Sequence, residues 1–102
     1  MIDWDDYQFN KELDIFIIDE DNVKYDLIVE IVEYEYNLHR HKQLVDLKII
    51  SSSDYEIYPI NSIMRLPIQS ETDVNFLLFA PCDKNPNREL TRKGKLYIKN
   101  DY

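Results

Sequence analysis

The stretch Val23-Lys24-Tyr25-Asp26-Leu27-Ile28-Val29-Glu30-Ile31-Val32-Glu33-Tyr34-Glu35-Tyr36 decides how this chain folds. Its first part places apolar side chains at Val23, Tyr25, Leu27, Val29 and Ile31, with Lys24, Asp26 and Glu30 between them. A period of two is that of a half-buried strand, whose successive side chains point to opposite faces. From Val32 onwards the phase reverses, and Val32, Tyr34 and Tyr36 alternate with Glu33 and Glu35. One residue must therefore be absorbed near Ile31 and Val32. A β-bulge or sharp bend does this, and long bent strands are how small sheets curl into barrels. The alternative is that one strand ends there and another begins.

Working outward, Leu13 to Ile18 reads as an earlier strand, closed off by the polar turn Asp19-Glu20-Asp21-Asn22. Gln43 to Ile50 reads as a strand with Val45, Leu47 and Ile49 on one face and Asp46 and Lys48 on the other. Ser51, Ser52, Ser53 and Asp54 supply the local side-chain hydrogen bonds of a hairpin loop, and Tyr55 to Ile60 follows as another strand. Asp73 to Ala80 reads as a fifth, Pro81 to Leu90 as a polar loop, and Lys95 to Lys99 as a short last strand. At the N-terminus, Trp4 to Leu13 does not alternate cleanly, and Asp3 can cap a first turn, so a short helix is expected there. The fold class is mainly β: a small five- or six-stranded barrel or curled antiparallel sheet with a short N-terminal helix. Residues 1–12 form the lead-in, 13–80 the β core and 81–102 a basic extension. The expected core is Leu13, Ile15, Ile17, Tyr25, Leu27, Val29, Ile31, Val45, Leu47, Ile49, Ile57, Ile63, Leu66, Phe76 and Leu78.

Composition bounds the rest. At 102 residues the chain suits one domain with one core. Apolar content of 44% is too rich for an acidic disordered protein, so the net charge of −8 belongs on a folded surface. Cys82 is the single cysteine, which leaves no intramolecular disulfide and points to the cytoplasm. The acidic start MIDWDDYQFN is unlike a signal peptide, and no apolar run approaches the roughly 18 residues of a membrane span. Residues 1 to 35 carry twelve Asp or Glu against Lys11 and Lys24, whereas residues 84 to 99 carry six bases against Glu89. Such asymmetry bears on association and steering.

The order of a short acidic lead-in, strand, acidic turn, long bent strand, basic loop, strand, hairpin and the terse "YPINSIMRLPI" resembles small SH3-like or Sm-like barrels. There a single 3₁₀ turn joins the fourth and fifth strands, a place that Asn61 and Ser62 would fill. "DWDDYQFNKELDIFI", the bent strand and "YEIYPINSIMRL", spanning about residues 3 to 66, also resemble the Rof-type inhibitors of the Rho termination factor. That resemblance implies an acidic Sm-like barrel with a short N-terminal helix that acts by binding a protein.

Catalytic chemistry is tested by elimination. Gly94 is the only glycine, which rules out the glycine-rich loops that cradle nucleotide phosphates. Cys82 follows Phe79-Ala80-Pro81 and reads as a packed or idle thiol rather than a nucleophile activated by Lys84 or Arg88. His39 and His41 flank Arg40, but two histidines without a placed third ligand do not make a metal site. Asp5 with Asp6, and Glu33 with Glu35, lie on runs of like charge and not in the contrasting environments that split an acid from a base. No cofactor, metal or enzymatic activity is expected.

Binding remains. The leading expectation is a regulator or inhibitor whose acidic face docks on a basic, nucleic-acid-handling protein, by mimicry of nucleic-acid charge among other routes. The residues proposed for it are Asp3, Asp5, Asp6, Asp19, Glu20, Asp21, Glu30, Glu33, Tyr34, Glu35 and Tyr36, the tyrosines serving as rigid anchors. Such a protein would suit a phage or mobile element as well as a host. The second expectation is direct nucleic-acid binding through His39, Arg40, His41, Lys42, Arg88, Arg92, Lys93, Lys95 and Tyr97, which a pI of about 4.6 opposes at long range. The third is a structural or self-associating module in which the opposite charge blocks pair. A monomer or homodimer is expected, away from membranes.

Overall fold

The computed structural model describes residues 8–37, 42–68, 76–79, 85 and 92–99, and the side chains of 8–33, 45–66, 79, 85 and 92–99. Six antiparallel strands run in chain order around a closed barrel: β1 (Glu12–Asp19), β2 (Lys24–Asn37), β3 (Lys42–Ser52), β4 (Ile63–Ile68), β5 (Phe76–Phe79) and β6 (Arg92–Ile98). The mainly β architecture is thus as the alternation predicts. The phase reversal in β2 has the expected cause: Ile31 pairs with Leu47 and Glu33 with Asp46, so Val32 is the extra residue of a bulge. A second register shift, not read from the sequence, lies between Ile28 and Val29, where Ile28 pairs with Ser51 and Val29 with Ile49.

Inward positions meet in one core. Ile15, Ile17, Val29, Val45, Leu47, Ile49, Met64, Leu66, Phe79 and Leu96 are all fully buried, and Leu27, Ile31 and Ile98 nearly so. Leu13 and Ile57 pack against this cluster as partly buried neighbours. Ile63 is only half-buried, and the side chains of Phe76 and Leu78 lie outside the described set.

Two expected elements are corrected. Tyr55 to Ile60 is not a strand but the turn that closes the top of the barrel. Asp54 Oδ1 accepts from the amides of Glu56 and Ile57 at 3.1 and 3.2 Å, and the Tyr58 amide donates to the Asp54 carbonyl at 2.9 Å. A side-chain cap therefore outcompetes the strand-like alternation of Tyr55, Glu56 and Ile57. Tyr58 then drops wholly into the core, edge-on to Tyr25 with ring centroids 5.0 Å apart and stacked on Phe79 at 5.6 Å. The turn ends at Asn61, whose φ of 70° lets the Ser62 amide reach the Pro59 carbonyl at 3.3 Å.

The N-terminal helix is the second correction. Residues 8–11 form turns and a bend, with Asn10 at a φ of 59° that no helix continues through, and β1 starts at Glu12. Trp4 to Tyr7 lie outside the described residues, as do most of the expected loop 81–90 and the ends of the expected strand 73–80. The last strand is longer than expected, beginning at Arg92.

Glycine plays an unusual part. The left-handed positions at Asn10, Asn22 and Asn61 are all taken by asparagine, which tolerates that region better than most residues. Gly94 instead permits contact: it lies opposite Asp19 where β6 meets β1, and a Cβ there would come within 2.8 Å of Ile17 Cγ2 and 3.1 Å of the Ile18 carbonyl oxygen. Both neighbours are buried or fixed in the ladder, so neither can withdraw freely. Gly94→Ala is expected to destabilise the fold by about 1–3 kcal/mol through overpacking at the barrel seam, read as a lower urea midpoint at unchanged slope.

Candidate functional site

Charge on this barrel sorts by whether it is paired. Asp19, facing inward at the end of β1, is 7% exposed and holds four contacts. Its Oδ1 accepts from the amides of Asp21 and Val23, both at 2.9 Å, which fixes the β1–β2 turn. Its Oδ2 accepts from Arg92 Nη1 at 3.2 Å, and the Tyr25 hydroxyl donates to the same carboxylate. Burial, and then the Asp19 charge, push the Tyr25 phenol above its ordinary 10.0. Asp46, 2% exposed, receives a two-pronged contact from Arg65 opposite it, Nε at 2.8 Å and Nη2 at 3.1 Å. On the surface Lys99 Nζ lies 3.1 Å from Asp26 Oδ1.

These pairs consume part of both candidate sets. Asp19 is a buried structural carboxylate and no part of a docking face. Arg92 is half-buried on Asp19, and Tyr97 is half-buried and stacked on Phe16 with ring centroids 5.0 Å apart and planes 18° from parallel. Lys24 covers the other side of that aromatic pair, 4.7 Å from the Phe16 centroid. Lys93 and Lys95 are exposed. Lys42 pairs with Asn37 at the far end of the β2–β3 hairpin, whereas Arg92 lies at the β1–β2 turn, so the described bases do not form one strip. His39, Arg40, His41 and Arg88 lie outside the described residues, as do Asp3, Asp5 and Asp6.

The acids left over gather on the outer surface of β1 and β2. Among the described residues, no ion pair involves Glu12, Asp14, Glu20, Asp21 or Glu30. Glu12 sits directly opposite Glu30, with Asp14 two residues along the same face of β1. Across antiparallel strands this brings like charges together at a Cβ separation of about 5 Å, an arrangement that opposes folding. The β2 bulge extends the patch, because absorbing Val32 returns Glu33 to the outer side, opposite Asp46. Glu35 follows opposite Leu44, while Tyr34 and Tyr36 take the register positions opposite Val45 and Gln43. Glu20 and Asp21 form a separate acidic point at the β1–β2 turn.

Two apolar side chains adjoin the larger patch. The Asn10 amide donates to the Ile31 carbonyl at 3.2 Å, which brings Phe9 beside the bulge at Val32. Phe9 is 55% exposed and Val32 39%. Sequence reading passes over both, and over Glu12: Phe9 falls in the expected helix, and Val32 reads as one more alternating strand residue. The phase reversal at Val32 was the available signal, since a bulge residue belongs to neither face. No protein-family model, curated protein or solved structure matches this chain.

The Tyr25–Asp19 contact sets an alkaline limit. Well below pH 10 the tyrosine is protonated in both states. Above it the unfolded chain ionises at the ordinary 10.0 while the folded Tyr25 holds its proton, so stability falls until the raised folded value is passed. Denaturation of wild type against Tyr25→Phe is expected to give a constant difference well below pH 10 and an additional progressive loss in wild type as the pH passes it.

Proposed function

We propose that this protein works by binding, its acidic β1–β2 surface docking on the basic surface of a protein partner. The observation that carries this reading is Glu12 facing Glu30 across the strands, with Asp14 two residues along and no ion pair on Glu12, Asp14 or Glu30 among the described residues. Folding gains nothing from that arrangement, and a residue choice that opposes the fold is expected where function requires it. A basic partner would remove the repulsion and add attraction, giving fast, salt-sensitive association. Phe9 and Val32 supply the apolar contact that lets such a complex persist once formed.

A nucleic-acid-handling protein is the partner class that this chemistry fits best, because a groove that holds phosphates selects closely spaced negative charge. A regulator or inhibitor needs no catalytic groups of its own. Direct nucleic-acid binding is the competing reading, resting on exposed Lys93 and Lys95. It is the weaker, since Arg92 and Lys99 are engaged with acids of the N-terminal half.

Affinity capture from host lysate at about 0.1 M and 0.5 M salt, with and without nuclease, tests the docking. The expected result is a basic protein retained despite nuclease and lost at high salt. The pair Glu12→Gln/Glu30→Gln should fold at least as stably as wild type, and the triple variant with Glu33→Gln added should associate with that protein about tenfold more slowly at low salt. Association unchanged in the triple variant, or capture that vanishes with nuclease alone, would sink the reading.

A further inference from the structure

The outer surface of the barrel carries an open groove of about 290 Å³ where β2 and β3 lose register. Its lining combines Asp14, Asp26 and Lys99 with Ser51, Ser52 and Ser53, and with Leu27 and Ile28. We propose that this groove receives one arginine side chain of the basic partner, with Lys99 as the chain's own cation that the arginine displaces. The inference rests on the docking reading and names its anchor.

Three observations converge on that occupant. The lining carries two carboxylates against one ammonium, and Asp14 has no ion pair among the described residues. The ammonium already present, Lys99 Nζ, sits 3.1 Å from Asp26 Oδ1 with both side chains about half exposed at 42% and 52%, so the pair is exchangeable with solvent and with a competitor. The Ile28 side chain, half-buried, offers apolar surface for the methylene stem of a long cation. Guanidinium suits the site better than ammonium, because its planar fork can donate to two acceptors at once where an ammonium acts as a point charge. Ser51 and Ser53 add hydroxyls to the lining. Ser53 Oγ already accepts from the Asp26 amide at 3.1 Å and keeps its own hydrogen for a further bond.

The test uses the full chain, ¹⁵N-labelled, titrated with N-acetyl-arginine amide and, as a neutral isostere, N-acetyl-citrulline amide. Saturable shifts are expected at the amides of Asp26, Ile28, Ser51 and Ser53, with a Kd on the order of 1–10 mM for arginine and none for citrulline. Lys99→Met should tighten arginine binding about two- to fivefold by removing the internal competitor, and Asp14→Asn, at an exposed position, should abolish saturation. A purely structural Lys99 would leave the affinity unchanged. That result, or shifts spread across Glu12, Glu30 and Glu33 without saturation at the groove, overturns the proposal. The two readings separate cleanly. Loss of partner capture in the triple glutamate variant without arginine binding leaves docking standing and removes the anchor. Arginine binding with capture indifferent to every acid removes docking instead.

Discussion

Everything in this barrel depends on β6 lying close against β1. A sheet of six short strands becomes a closed core only if its last strand completes the ladder with its first, and here the two meet from Ile15 opposite Ile98 to Asp19 opposite Gly94. The approach is possible because the chain's only glycine stands where a Cβ would strike Ile17. It is fixed by charge at the same point, since Asp19 ties together the β1–β2 turn, Tyr25 from β2 and Arg92 from β6. One buried carboxylate thus joins three strands. Closure in turn leaves no free edge on β1, and its outer face becomes available as a surface rather than as a template for further pairing.

The β2 bulge decides what that surface carries. Without it, the strand beyond Ile31 would present Val32 and Tyr34 on the Glu30 parity and turn Glu33 away. Absorbing Val32 keeps Glu30 and Glu33 on one side of a strand of fourteen residues, and exposes a valine between them. The second shift, between Ile28 and Val29, lies at the groove that Asp26, Ile28 and Ser51 line. Both irregularities therefore sit where the surface chemistry is concentrated, which is how bulges are commonly used.

Much of this was legible. The alternation of β2, its phase reversal and the strands β1 and β3 follow from the period of two, because each is long and has one face in the core. The turn after β3 was not, since Tyr55, Glu56 and Ile57 alternate as a strand does. What decides their fate is the Asp54 carboxylate binding two following amides, an interaction that outweighs three residues of pattern. The burial of Tyr58 follows from that turn and has no local signature. Arg92 to Gly94 fall outside the expected strand because three polar or small residues hide the start of one whose inward positions are an arginine, a glycine and two aliphatics. Among the acids read from the sequence as surface, Asp19 is instead buried and holds the β1–β2 turn and Arg92. Periodicity cannot separate a carboxylate at the mouth of a barrel from one outside it.

The separation of acid and base along the chain then has a physical explanation in two parts. Where the blocks meet, at Asp19 with Arg92 and at Asp26 with Lys99, N-terminal acid pairs with C-terminal base across the seam and helps to choose β6 as the neighbour of β1. Pairing of that kind needs only a few charges of each sign, and the chain carries 20 acids against 12 bases. Among the described residues, the acids without an ion pair lie on β1 and β2 at Glu12, Asp14 and Glu30 and at the turn between them at Glu20 and Asp21, and the strand partner of Glu12 is another glutamate. A sequence selected only for closure and solubility could have placed lysine there and gained a cross-strand attraction. That it places glutamate, beside an exposed phenylalanine and valine, is what supports the proposal that these acids are complementary to a second molecule.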